Sequence, residues 1–421
     1  MKQKTNKIKF VVIQSEVLTQ RWESYLHLDE LAESFDVEFW DCSAIAVPNY
    51  ISKEIERPYV KTILNKAQYK SELQKLPQDT LIVLNRIMFN KDNYDFLKTL
   101  AKRFPKQLDI DFFAGNQLMA SLWSVAVSKE EEYQGTESTE KSNNAKSTSI
   151  FKSIKQLLYK SDAIYLLMKR IRYRNDNKGY KDVLEKYYFR KCGELFESHL
   201  ISYQKNSAYP INPPDYEQYL KLGECIEEKE YIVFIDQAFP VHPEFKSSYE
   251  HIGIQSLAQE YYLSMRKFFD RVEQQTGLKV VVAGHPVANY KGDEYGEREI
   301  FYGKTAELVR DAKAVFIHTS HAINFPIFYQ KPLVFLINSA WKKAIRHANH
   351  LAKVTEYFQK QPVNTDEEIN IMQYLKPIQP DIRKKYLSDM IDKRTEGKYN
   401  ADLLKEYLLQ IHHEMYGGIL R

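Results

Sequence analysis

Cysteine is nearly missing: Cys42, Cys192 and Cys225 are the only three in 421 residues, and no two stand in a CxxC pair. That excludes a disulfide-built scaffold and a cysteine zinc site, and it fits a reducing compartment. No apolar stretch approaches the roughly 20 residues of a membrane span. The basic N-terminus, Met1 to Lys7, runs into a strand-like segment and not into the apolar core of a signal peptide, so the expected location is the cytoplasm. Charge of one sign is also lacking: 60 Lys and Arg against 56 Asp and Glu leave a net +4, too mild for a global nucleic-acid footprint. The first half has no GxGxxG, hence no dinucleotide fingerprint, and no repeat of solenoid length occurs.

What remains is a folded, aromatic-rich chain. Hydrophobic residues are 43% and aromatics 13%, far from a disordered composition, and the length exceeds what one core usually serves. Residues 9–14 read as a strand, 24–34 as an amphipathic helix and 37–41 as a second strand ending in Asp41. Strands at 81–85 and 108–112, with a helix over 90–103 between them, continue a Rossmann-like β-α-β order. Composition then changes abruptly. Residues 129–148 are polar and read as an exposed loop; 150–174 alternate apolar residues with Lys and Arg. Such a basic amphipathic helix suits either an anionic membrane surface or the protein's own exterior.

The second half opens with a strand at 231–236, a long helix over 256–275 and the segment 279–337, where β, loop, α, β, α, β follow in order. A parallel sheet follows from that order, with polar groups delivered at the strand ends: Asp236 and Gln237, then Gly284-His285-Pro286, then His318-Thr319-Ser320-His321. Helices are expected over 341–359, 382–393 and 401–413. The domain reading is 1–125 for a first Rossmann-like unit, 126–215 for a polar and basic connector, 216–400 for a second Rossmann-like unit, and 401–421 for a helix returning to the first.

At a strand end, His285 can donate a hydrogen bond or proton to a departing phosphate, and Thr319 and Ser320 offer hydroxyls and amides to an anion. The plainer alternatives are a turn at His285-Pro286 and a helix cap at Thr319 or Ser320. Asp236 can serve as a general base, orient a loop or contact a donor, with Asp41, Asp109 and Asp111 as rival bases. Lys291, Arg298 and Lys304 lie between the two motifs, where cations favour phosphate, although Lys304 also suits a helix start. His318 and His321 lack a carboxylate pattern for metal, and the Asp109-Ile110-Asp111 run is apolar in context, so metal-independent transfer without a cofactor is expected.

Gly284-His285-Pro286 followed by Thr319-Ser320 resembles the paired HP and Ser/Thr motifs of bacterial sialyltransferases, and related arrangements in capsule, lipopolysaccharide and teichoic-acid enzymes. The resemblance covers roughly residues 231–340 and implies an α/β fold of the GT-B type, two Rossmann-like domains facing across a cleft. It implies a nucleotide-sugar donor, foremost CMP-activated sialic acid or Kdo, held by Gly284, His285, Pro286, Thr319 and Ser320, to which the charges of Lys291 and Arg298 add candidate phosphate contacts. The acceptor would be a growing glycan, free or lipid-linked, bound by the first unit. The acidic motif that carries the base in sialyltransferases is not found at Asp236. The alternatives are a CDP-glycerol type polyol-phosphate transferase and a non-catalytic, membrane-associated scaffold using residues 150–174.

Overall fold

The computed structural model describes residues 7–46, 55–85, 94–104, 108 and 209–417. The basic segment 150–174, Asp109, Asp111 and Cys192 lie outside the described residues.

The chain is α/β and forms two Rossmann-like units. The first holds a parallel sheet of β1 (Lys9–Gln14), β2 (Asp36–Asp41), β3 (Val60–Thr62) and β4 (Leu81–Asn85) in the order β3-β2-β1-β4. Pairing of β1 with both β2 and β4 is parallel, so the chain turns back on itself between β1 and β4. The sheet is apolar on both faces: Phe10, Val12, Phe39 and Val83 fill one core, while Val11, Ile13, Trp40 and Ile82 fill the other.

The second sheet contains β5 (Tyr231–Ile235), β6 (Lys279–Gly284), β7 (Ile300–Tyr302), β8 (Ala314–Ile317), β9 (Leu333–Ile337) and β10 (Val363–Asn364), in the order β10-β9-β8-β5-β6-β7. The segment expected to be loop between β6 and the next helix therefore contains a strand, β7, paired in parallel with β6. Gly284 permits this pairing: a Cβ there would stand 2.8 Å from Ile300 Cγ2 and 2.9 Å from Tyr302 Cε1. The long helix Ala258–Thr276 lies against the sheet through Tyr261, Met265, Phe268, Phe269 and Val272.

Among the described residues two segments join the units. Helix Asn400–Tyr416 inserts Leu403, Leu404, Tyr407, Leu408 and Ile411 into the core of the first sheet. Residues leading out of the second unit are tied to those leading in: Asn212 Nδ2 donates to the carbonyls of Thr395 and Lys398, both at 2.8 Å, and Asn400 Nδ2 donates to the Asn212 carbonyl at 2.9 Å. Among the described residues no helix is long and apolar enough to cross a membrane.

Candidate active site

In the second sheet β5 is followed on one side by β6 and β7, after which the chain crosses to β8 on the other side. The carboxyl ends of β5 and β8 therefore flank a topological switch point, where open α/β sheets place their ligands. Gln237 bridges this gap, its Oε1 accepting the Thr319 N–H at 2.8 Å. Thr319 is buried, and the Ser320 hydroxyl accepts the Ala322 N–H at 3.2 Å, capping the turn His321–Ile323.

Asp236 organises the other side. It is 2% exposed, and four groups donate to its carboxylate: Ala238 N–H at 2.9 Å and Tyr295 Oη at 2.8 Å to Oδ1, His285 N–H at 3.2 Å and Tyr290 Oη to Oδ2. Burial first, and the Asp236 charge second, push both phenols well above their usual range, so they remain donors. With its lone pairs engaged, the carboxylate is placed as a fork that fixes the Gln237–Ala238 and His285–Tyr295 loops. The sequence offered no sign of Tyr290 or Tyr295, which follow His285 by no local periodicity.

The backbone N–H of Val287 donates to His285 Nδ1 at 3.3 Å, which assigns the proton of the neutral ring to Nε2. Burial, then the neighbouring His242, lowers the His285 pKa; Asp236 opposes this, and Arg21 from the first unit adds to it. The ring is therefore neutral near pH 7 and presents Nε2–H. His242 stands edge-on to it with ring centroids 4.9 Å apart.

Arg298, Lys291, Pro286 and His318 have the following surroundings. Arg298 has its guanidinium committed to the long helix, with Nη2 at 2.7 Å from Asp270 Oδ1 and 2.6 Å from Glu273 Oε2, over the Phe269 ring. Lys291 and Pro286 are exposed. His318 is a core histidine: it is stacked on Trp341, Nδ1 donates to Leu336 O at 2.7 Å, and Tyr261 Oη lies 2.8 Å from Nε2. Burial holds its pKa down to about 4. Among the described residues no group of three or more His, Cys, Asp or Glu is placed to hold a metal ion.

No protein-family model matches the chain, and no curated protein does. Solved structures match along nearly its whole length at low identity. The glycotransferase of kitacinnamycin is 9% identical, with 95% of this chain and 99% of that one covered and a TM-score of 0.37. The wall teichoic acid polymerase TagF, solved with CDPG, is 10% identical over 96% and 90%, with a TM-score of 0.39. TcCGT1 in complex with UDP is 10% identical over 95% and 94%, with a TM-score of 0.34. These likenesses are distant.

Proposed function

We propose that the protein is a GT-B glycosyltransferase that moves a sugar from a nucleotide donor to a hydroxyl acceptor, with the donor held by the second unit. The observation that carries this reading is the convergence of the β5, β6 and β8 ends at one switch point, with the His285 imidazole fixed there as a neutral Nε2–H donor. A hydrogen bond from that N–H stabilises charge developing on the departing phosphate. Asp236 acts as a positioning residue that sets the His285 loop. The resemblance of Gly284-His285-Pro286 and Thr319-Ser320 to sialyltransferase motifs favours a CMP-activated sialic acid or Kdo donor and a capsule or lipopolysaccharide glycan as acceptor. Work on such a glycan suits an enzyme at the inner face of a membrane.

A second reading, polyol-phosphate transfer from a CDP-glycerol type donor, is favoured by the His242–His285 pair, since attack at phosphorus uses a base and a proton donor within one site. Product mass separates the two. The first test is thermal melting with CMP, CDP, UDP and GDP: one of them raises Tm by mass action, and His285→Ala abolishes transfer. No shift with any nucleotide, or full transfer by the variant, would sink the assignment.

A further inference from the structure

The sugar-transfer reading leaves the acceptor without a base, because the Asp236 oxygens are engaged from four sides. A second carboxylate stands where the two units meet. Asp215 is in the first turn of helix Pro214–Leu222, which leads into the second unit. Its Oδ2 accepts Asn324 Nδ2 at 2.8 Å, and Asn324 Oδ1 accepts the Tyr386 hydroxyl at 2.6 Å. Asn324 is fully buried and lies four residues beyond Ser320, so this chain of hydrogen bonds fixes Asp215 against the segment that carries Thr319 and Ser320. Among the described residues no hydrogen bond reaches the other oxygen, Oδ1. From the first unit comes Arg21, whose charge acts on Asp215, His285 and His321 alike. This carboxylate and the imidazole assigned to the donor phosphate thus both lie within electrostatic reach of one guanidinium.

Resting on the transferase reading above, we propose that Asp215 is the general base of the reaction, with Oδ1 taking the proton of the acceptor hydroxyl. As that proton moves to Oδ1, the acceptor oxygen bonds to the electrophilic atom of the donor. The bond from that atom to the nucleotide phosphate oxygen breaks, the electron pair stays on the phosphate, and the proton later leaves Asp215 for solvent. Burial raises the Asp215 pKa to about 6, against the Asn324 hydrogen bond and the Arg21 charge. The groups that face it are Arg21 and Tyr25 from helix Gln20–Leu26 and Tyr386 from helix Pro380–Met390. Both phenols are held above their usual value by burial first, so Asp215 alone among these groups titrates near pH 6.

The test uses the full chain and follows nucleotide release from CMP-sialic acid, CDP-glycerol and UDP-glucose, with water as acceptor. Asp215→Asn keeps an oxygen for Asn324, so melting and the nucleotide-induced Tm shift stay as in wild type. Release falls by about 100- to 10,000-fold, the usual worth of a positioned base. The wild-type rate has an acidic limb near pH 6. Asp215→Glu keeps a carboxylate one methylene further out, so it retains measurable release with that limb, and it stands in if the Asn variant fails to fold. Near-normal release by Asp215→Asn overturns the inference while the nucleotide-binding reading stands. A wild type that binds nucleotide yet releases none overturns it too, because a base so placed serves water as it serves an acceptor. If no nucleotide shifts the wild-type Tm, the transferase reading fails first and the inference falls with it.

Discussion

A carboxylate that accepts from two backbone amides and two phenols cannot be exchanged for its own amide without loss. In Asp236→Asn the new NH2 must face either the Ala238 N–H or the His285 N–H, since each carboxylate oxygen serves one of them. The phenols can rotate to accept; the backbone amides cannot. One buried N–H is left unsatisfied, a cost of about 1–3 kcal/mol. Chemical denaturation of Asp236→Asn is expected to show that loss, together with a weakened nucleotide-induced Tm shift, because the His285 loop is no longer pinned. A variant as stable as wild type would show the fork to be dispensable. Asp236 and His285 were legible as strand-end polar residues because a buried parallel strand is a continuous apolar run and its first polar residue marks the exit. The occupancy of each lone pair was not legible, since Tyr290 and Tyr295 come from a loop whose path is set by β7.

At the scale of elements, apolar periodicity located the long strands closely, and the errors fell where backbone geometry interrupts a pattern. The helix expected over 24–34 is two helices, Gln20–Leu26 and Leu28–Ala32, broken at His27, whose φ of 52° is left-handed. The break puts His27 Nε2 2.9 Å from Glu217 Oε2, both buried, in a contact between the units. Burial depresses the His27 pKa, but the hydrogen bonds its protonated ring donates to Glu217 and Glu30 outweigh this and carry it up to about 9. A folded-state value above the unfolded one of about 6.5 means stability that is complete below pH 6.5 and lost as pH rises through 9. The difference in unfolding free energy between wild type and His27→Asn should therefore be about 3 kcal/mol at pH 6 and shrink steadily towards pH 9. Asparagine tolerates the left-handed backbone, which keeps strain out of the comparison. A difference independent of pH would show that the pair is not charged in the folded protein. Short strands such as β3, β7 and β10 escaped sequence reading for a different reason: at two or three residues they carry too little pattern to rise above a loop.

The molecule as a whole is asymmetric in how its halves depend on one another. Among the described residues the second unit closes its core with residues 216–391, whereas the first takes five side chains from helix Asn400–Tyr416, together with Tyr209 and Ile211. Each of those buried side chains contributes roughly 1.5–3 kcal/mol, so removing all five costs on the order of 10 kcal/mol, comparable with the entire stability of a domain. A chain ending at Tyr399 is therefore expected to lose its first unit and keep its second. Hydrogen exchange provides the readout: amides of β1, β2 and β4 exchange at unfolded rates, while those of β5, β6, β8 and β9 stay protected. Arg21 goes with the first unit, so the truncated chain also loses the charge that acts on Asp215, His285 and His321, and transfer stops even where nucleotide still raises Tm. Retained protection in β1–β4 would mean that the returning helix only covers a core already complete without it.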